Sequence, residues 1–487
     1  MSPPAPTAPL IIQGGLGVAV SGWRLARAVA SAGQMGVVSG TAIDAVHARL
    51  LQDGDPGGHL RRAYEAFPIP GVAERVLERW LVAGGRPAGR RYRAHPMLTV
   101  EPERFHLELI VVSNFAEVWL AKDGHDGMVG INYLEKIQMA TAPSAYGAML
   151  AGVDTVLMGA GIPSAIPRVL RELAALQPTS LTLDVAGASP STEHVTRFDP
   201  AVVGLPVHAP RRPRFFAIVS SASLAKFLAR DVETRPDGFI IERPTAGGHN
   251  APPRGKLQLD GVGQPIYGDR DDVDLAAVAS LGLPFWLAGA DSTPDGLGSA
   301  VASGAAGIQV GTAFAFCAES GITDELRTAV LDDVVEQAVT VRTDPRASPS
   351  GFPFKVVSVP GTVSEPEVYD ERRRVCDLGY LRTPYERSDG TLGYRCPSEP
   401  VDAYVRKGGD IADTVGRKCL CNGLTATVGL GQVRRDGVEP ALVTAGDAVR
   451  TIGTYLGADG SYTASDVIDH LLLAVSTGGG QSNSIEL

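Results

Sequence analysis

The stretch PFWLAGADSTPDGLGSAVASGAAGIQVGT, residues 284–312, contains the local pattern that decides the fold. Apolar runs at 284–288 and 307–311 lead into glycine turns, and residues 294–303 between them have the composition of a helix. Both runs are nearly all apolar instead of alternating, as parallel strands buried on both faces require. A strand, a helix and a second parallel strand form the repeating unit of α/β proteins.

Six more runs of this kind precede that unit. They lie at residues 10–13, 36–39, 129–133, 154–159, 215–219 and 238–242. Segments with helical spacing separate several of them, at 23–32, 163–176 and 221–230. Eight strands alternating with helices predict an α/β fold, a (β/α)8 TIM barrel, although an open doubly wound sheet follows the same local pattern.

The chain has 487 residues, which exceeds the size at which one hydrophobic core usually stops growing. We therefore expect a barrel at 1–320 and an appended region at 321–487. Within the barrel, three insertions are expected at about 51–128, 181–213 and 250–272. Loops of this length are often functional lids. The pattern after residue 320 predicts a mostly helical cap over the barrel mouth.

Composition and charge exclude several classes of protein. The net charge is −10, which gives no overall attraction to nucleic acid or to anionic lipid. No apolar run approaches the length needed to span a bilayer, and the start has no secretory pattern, so a cytoplasmic location is expected. We expect a small-molecule substrate as the partner. The sequence does not decide between a monomer and a homodimer.

The first predicted strand leads directly into the glycine cluster Gly14-Gly15-Leu16-Gly17. A Rossmann-type dinucleotide site fits poorly, because the next glycine is too distant and no acidic residue ends the second strand. Glycines here would instead let the backbone approach a flat ring and donate N–H groups to it. A plain tight turn between strand and helix is the alternative.

The sixth predicted strand is followed by the turn Thr245-Ala246-Gly247-Gly248-His249-Asn250. Active sites of barrels gather at this end of the strands. Gly247 and Gly248 would admit a phosphate or a ring edge, and His249 is a candidate for proton transfer near neutral pH. A surface-loop histidine is the alternative.

Two glycine turns end the last two predicted strands, at Gly289 and at Gln309-Val310-Gly311-Thr312. Barrels commonly bind phosphate after strands seven and eight, through backbone N–H groups and a helix N-terminus. The spacing therefore predicts a phosphate site, with two ordinary strand ends as the alternative.

Taken in order, the segments LIIQGGLG, GINY, AGGH, LAGA and QVGT resemble the nitronate monooxygenase family, also called 2-nitropropane dioxygenases, over roughly residues 8–320. The family consists of FMN-binding barrels. The resemblance implies that Gly15 and Leu16 face the flavin ring, that Asn132 lies at its polar edge and that His249 is the catalytic base. It also implies that the phosphate is surrounded by Gly248, Gly289, Gln309, Gly311 and Thr312, with Gly247 in the same cofactor turn.

The resemblance implies an FMN-dependent oxidoreductase that oxidises a nitronate or a similar acidic carbon substrate with O2. The sequence is also similar to trans-acting enoyl reductases of polyketide and polyunsaturated fatty acid synthases, which would need NAD(P)H and an acyl carrier protein as partner. A third hypothesis is a flavin-free barrel that binds a phosphate ligand through its C-terminal glycine turns.

Four of the five cysteines lie in the C-terminal region, at Cys376, Cys396, Cys419 and Cys421. Their spacing fits no standard zinc motif, so packing thiols are expected and no metal site is predicted, with zinc and a redox pair as alternatives. Basic islands at Arg211, Arg212 and Arg214, at 372–374, and at Arg254 with Lys256 predict a solvated face, or a docking patch for an acidic carrier protein or a phosphorylated cofactor.

Overall fold

A computed structural model describes residues 8–189, 192–289 and 292–477 of the chain. Eight parallel strands form its central sheet, in the order β1-β10-β9-β8-β7-β4-β3-β2. They are β1 (Ile11–Gln13), β2 (Gly36–Ser39), β3 (Val129–Leu134), β4 (Thr155–Gly159), β7 (Arg214–Val219), β8 (Gly238–Glu242), β9 (Phe285–Ala288) and β10 (Gly307–Val310). All eight predicted strands are confirmed.

The sheet closes on itself between β1 and β2. Ile12 forms a parallel bridge with Met35, and the Gln13 N–H donates to the Met35 carbonyl at 2.9 Å. At the other side of β1, Ile11 is in register with Ile308 of β10. The (β/α)8 barrel is therefore confirmed, and the open-sheet alternative is excluded by this closure.

Large apolar side chains fill the barrel interior. Phe216 and Trp286 stack with ring centroids 4.8 Å apart, and both are fully buried. The indole N–H of Trp286 donates to the Pro9 carbonyl at 2.8 Å, so its polar atom is satisfied inside an apolar layer. The interior is thus a packed core, and the open space lies beyond the strand ends.

Helices surround the strands, and the predicted helices at 23–32, 163–176, 221–230 and 294–303 are all present. The helices up to β10 are α1 (Trp23–Ser31), α2 (Ile43–Gln52), α3 (His59–Glu65), α4 (Val72–Trp80), α5 (Arg104–Lys122), α6 (Gln138–Leu150), α7 (Ile166–Ala174), α8 (Pro200–Val203), α9 (Ala222–Ala229), α10 (Leu275–Ala279) and α11 (Pro294–Ala302). None of the described helices combines the length and apolar character needed to cross a bilayer.

The insertions differ in structure. Residues 51–128 contain α3, α4 and the long helix α5, whose buried side chains pack against α6 and α1. In the second insertion β5 (Thr179–Thr182) pairs antiparallel with β6 (Val195–Phe198). In the third, the described residues 250–272 contain neither a helix nor a strand. Their function as lids stays a prediction.

The region after residue 320 combines helices with three antiparallel strand pairs, so it is less helical than expected. From β10 onwards its elements are α12 (Thr312–Ala315), α13 (Asp324–Val335), β11 (Val341–Asp344), β12 (Phe354–Val357), α14 (Pro366–Glu371), β13 (Thr383–Glu386), β14 (Leu392–Arg395), α15 (Val401–Arg406), α16 (Leu420–Thr427), β15 (Val433–Arg434), β16 (Gly437–Val438) and α17 (Ala464–Thr477). Short 3-10 helices lie at Pro56–Gly58, Ile411–Thr414 and Asp447–Tyr455.

The last helix, α17, packs against α11 and α1 on the outside of the barrel. It therefore occupies the place of an eighth barrel helix, between α11, which follows the seventh strand β9, and α1, which follows the first strand. One apolar core contains Ile308 of the barrel together with Val449 and Ile468 of the C-terminal region. The boundary at residue 320 stays a prediction about domains, because the packing is continuous across it.

Candidate functional site

A cavity of about 500 Å³ opens at the C-terminal ends of the barrel strands. It lies between the strand-end turns and the C-terminal region, which contributes residues such as Leu424 and Thr444. All ten residues singled out from the sequence line it: Gly15, Leu16, Asn132, Gly247, Gly248, His249, Gly289, Gln309, Gly311 and Thr312. The structure brings these residues together, and their individual roles stay predictions.

The loop after β1 packs tightly against the end of β3. A Cβ atom at Gly15 would lie 2.4 Å from the Asn132 Cβ, so only glycine fits at this position. The Leu16 N–H donates to the Ser21 hydroxyl at 2.8 Å and is therefore not free for a ligand. Gly15 makes no hydrogen bond within the described residues, which leaves its N–H available at the cavity.

The turn that follows β8 is held by a segment of the C-terminal region. A Cβ atom at Gly247 would lie 2.7 Å from the Gly446 backbone nitrogen. The Gly248 N–H donates to the Thr444 hydroxyl at 3.1 Å. The close approach of the C-terminal segment requires glycine at position 247, whereas Gly248 has a φ of +78° and open space around its Cβ position.

The two turns predicted to hold a phosphate lie side by side. Gly289 has a φ of +74°, and a Cβ there would lie 2.8 Å from the Ala246 nitrogen. The Thr312 hydroxyl accepts a hydrogen bond from the Gly446 N–H at 2.8 Å, so its own proton remains free to donate. Residues 290–291 of the same turn lie outside the described residues.

The side-chain amide of Gln309, at the end of β10, has a carbonyl oxygen without a hydrogen-bond partner among the described residues. Its Oε1 atom is buried and makes no hydrogen bond within the described part of the chain. Buried polar atoms are nearly always satisfied by protein, water or ligand. A bound molecule with a hydrogen-bond donor at this position would satisfy it.

His249 is fixed by residues of the C-terminal region. Its Nε2 lies 2.7 Å from the Ser348 hydroxyl, and its ring packs edge-on against Phe354 at 4.9 Å between centroids. His249 also forms an antiparallel bridge with Phe354. Burial lowers the pKa of His249 to about 4, so the imidazole is neutral at pH 7.

Glu242, the last residue of β8, also lines the cavity, although the sequence analysis did not select it. Burial raises the pKa of its carboxyl to about 8, so at neutral pH it is mostly protonated. The available indication was a lone acidic residue at the C-terminal end of a predicted barrel strand, a position where barrel enzymes carry reacting groups.

The cavity carries little positive charge. No lysine or arginine is among the described residues that line it. Asp447, the other carboxylate of the lining, is 2.8 Å from the ammonium group of the buried Lys355. A ligand phosphate would therefore rely on backbone N–H groups and hydroxyls.

The four C-terminal cysteines are free thiols. Cys421 lines the cavity, and a hydrogen bond from Cys396 lowers the pKa of the Cys376 thiol. No three of the four sulfur atoms lie within 4.8 Å of one another in the described residues, so they do not form a compact zinc site. The redox pair stays a prediction.

The basic islands are partly neutralised by acidic neighbours. Arg211 is 3.3 Å from Asp154, and Arg212 is 3.0 Å from Asp237. Residues 372–374 include an arginine buried against Glu439. Docking of an acidic carrier on these islands stays a prediction.

The fold and the cavity define a (β/α)8-barrel protein with an open cavity at the C-terminal face of the strands. No family model matches the chain. A protein of Mycobacterium tuberculosis, (3aS,4S,5R,7aS)-5-hydroxy-7a-methyl-1-oxo-octahydro-1H-indene-4-carboxyl-CoA dehydrogenase, is 28% identical over 141 residues. That alignment covers 29% of this chain and 35% of the relative.

Three solved structures align with most of the chain. FabK from Thermotoga maritima has 15% identity and a TM-score of 0.47, covering 97% of this chain and 94% of its own. Nitroalkane oxidase from Streptomyces ansochromogenes has 14% identity and a TM-score of 0.47, covering 97% of both chains. The enoyl reductase domain of MlnA from Bacillus amyloliquefaciens has 11% identity and a TM-score of 0.46, covering 96% and 93%. Likenesses at this level identify no activity.

Proposed function

We propose that this protein is an FMN-dependent oxidoreductase of the nitronate monooxygenase type, which oxidises a nitronate or a similar acidic carbon substrate with O2. One observation carries the proposal. The turns that follow β1, β8, β9 and β10, including His249, line a single cavity at the face where barrel enzymes carry their active sites.

The residues of the cavity fit a flavin mononucleotide in three respects. The volume of about 500 Å³ is in the range of pockets that enclose a cofactor. The Gly15 N–H and the buried Gln309 Oε1 offer an unpaired donor and an unpaired acceptor. The phosphate would be held by Gly289, Gly311 and Thr312, whereas the Gly248 N–H is already engaged by Thr444.

FMN, when bound, supplies two-electron oxidation of the substrate and transfer of those electrons to O2. His249 is neutral at pH 7 and can accept the acidic carbon proton of a nitroalkane. Ser348 at Nε2 and Phe354 against the ring fix its orientation. A nitronate supplied as the anion needs no such base.

Glu242 supports a second candidate, an NAD(P)H- and FMN-dependent reductase of an enoyl thioester. Reduction of a carbon–carbon double bond consumes a proton, and the protonated Glu242 carboxyl is a donor in the cavity. The lining also contains no described lysine or arginine to balance a nitronate anion. The partial relative is named as a dehydrogenase of a coenzyme A thioester, which is consistent with that substrate class.

Anaerobic flavin reduction distinguishes these functions. The purified protein is mixed in turn with a nitronate, with the neutral nitroalkane and with NADPH, while the absorbance of oxidised flavin is followed. Bleaching by the nitronate supports the leading proposal, and bleaching by NADPH alone supports the enoyl reductase. A protein without flavin absorbance would refute both and favour the flavin-free phosphate-binding barrel.

The variant His249→Gln provides a matched control within the same experiment. If His249 is the base, the variant loses reduction by the neutral nitroalkane and keeps reduction by the nitronate. Equal loss with both substrates would contradict that assignment, because the anion has no carbon proton to remove at that step.

A further inference from the structure

A buried group of two imidazoles and one carboxylate lies outside the cavity. Asp44 is in the first turn of α2, His95 is in the loop between α4 and α5, and His106 is in α5. The Asp44 Oδ2 atom is 3.0 Å from the His95 Nε2 and 3.2 Å from the His106 Nε2. The three side chains are only 2–6% exposed.

His95 is not satisfied by the protein. Both of its ring nitrogens are buried and make no hydrogen bond within the described residues, although Nε2 is close to Asp44. The contact of Nε2 with the Asp44 Oδ2 atom at 3.0 Å is a close approach whose geometry is outside that of a hydrogen bond. An unpaired imidazole nitrogen at this position is available to a ligand placed between the three side chains.

We propose that Asp44, His95 and His106 bind one divalent transition-metal ion, of which zinc is the expected one. Two imidazole nitrogens and a carboxylate oxygen are ligands that zinc accepts, whereas calcium and magnesium prefer oxygen alone. Bonds of about 2.0–2.1 Å in a tetrahedron separate ligand atoms by roughly 3.3 Å. The three ligand atoms here are all within 4.8 Å of one another, and this is the one such group in the described residues.

The surrounding side chains support a metal centre. The Tyr380 hydroxyl donates to the Asp44 Oδ1 atom at 2.6 Å, which fixes the carboxylate and leaves Oδ2 toward the imidazoles. Trp80 stacks on the His95 ring with centroids 6.3 Å apart. Such outer partners orient metal ligands and raise their affinity.

The position of the site suggests a structural role. Asp44 belongs to a barrel helix, the two histidines belong to the first insertion, and Tyr380 belongs to the C-terminal region. Tyr380 also lines the main cavity. An ion at this point would therefore join three distant segments and fix one wall of the cavity, independently of the proposed reaction.

Elemental analysis of the full-length protein, purified and then equilibrated with Zn²⁺ and desalted, tests the site. We expect about one zinc per chain, and cobalt substitution should give visible absorption bands of a four- or five-coordinate ion. The variants His95→Gln and His106→Gln should lose the metal. His47→Gln is the matched control, because His47 is also buried against a carboxylate, that of Glu117 at 2.9 Å, but lies outside the group.

A second measurement on the wild-type chain tests the metal site even if the variants fail to fold. Removal of the ion from the wild-type chain with EDTA should lower its melting temperature by on the order of 5 °C, and Zn²⁺ should restore it. The proposal is overturned if the wild-type chain retains no zinc, if His95→Gln and His106→Gln retain as much zinc as the wild type and His47→Gln, or if EDTA and Zn²⁺ leave the melting temperature of the wild type unchanged.

Discussion

Replacing Glu242 by glutamine should change how the stability of the protein depends on pH. Burial raises the pKa of the Glu242 carboxyl from 4.5 to about 8 in the folded chain. The folded state therefore favours the protonated acid. The contribution of this protonation to the free energy of unfolding is fully present below pH 4.5, where the carboxyl is protonated in both states. That contribution is lost as the pH rises through 8, because the unfolded chain ionises first. Glutamine has nearly the same shape and does not ionise.

The size of the effect follows from the shift. At about 1.36 kcal/mol per pH unit, the full shift corresponds to roughly 5 kcal/mol. Glu242 borders a cavity that water can enter, which screens the charge, so about 3 kcal/mol is the expected difference. At pH 9 the Glu242→Gln variant should be more stable than the wild type by this amount, and at pH 5 the two should be nearly equal.

Urea unfolding at pH 5, 6, 7, 8 and 9 measures this difference directly. Glu101→Gln is the control, since it makes the same substitution at an exposed carboxyl that does not line the cavity. Parallel profiles for the wild type and Glu242→Gln would refute the reasoning. They would mean that Glu242 is ionised in the folded chain at neutral pH, and the proton donor of the enoyl reductase candidate would be lost with it.

Three other substitutions test the geometry of the site. Gly15→Ala would place a Cβ 2.4 Å from the Asn132 Cβ, so the variant should lose bound flavin absorbance and about 1–3 kcal/mol of stability. Gly298→Ala is the control and should lose neither, because a Cβ at Gly298 would have no atom within 4 Å. Thr312→Val removes the hydroxyl that accepts a C-terminal N–H at 2.8 Å and should cost about 1–2 kcal/mol in urea unfolding, whereas Thr312→Ser should not. His249→Gln should lower kcat with the neutral nitroalkane by about 10²-fold or more, while flavin absorbance is kept. A loss below tenfold would contradict the assignment of His249 as the base.

Much of the fold was predictable because its determinants are local. The strands are short, doubly buried and rich in apolar residues, and each ends at a glycine or polar turn that is visible in the sequence. The C-terminal ends of parallel strands meet at one face, so placing His249 and Gln309 at strand ends was enough to predict that they share a cavity. The order of the segments then carried the family resemblance.

The sequence by itself predicted the strands and helices of a barrel, its cavity-lining turns and the net negative charge of the molecule. Only the tertiary structure decided that the C-terminal region engages the Gly248 N–H, that α17 completes the ring of helices and that Asp44 meets His95 and His106. It also decided the protonation of Glu242 and His249. These features depend on contacts between segments far apart in the chain and on how deeply each group is buried, and neither is encoded in local periodicity.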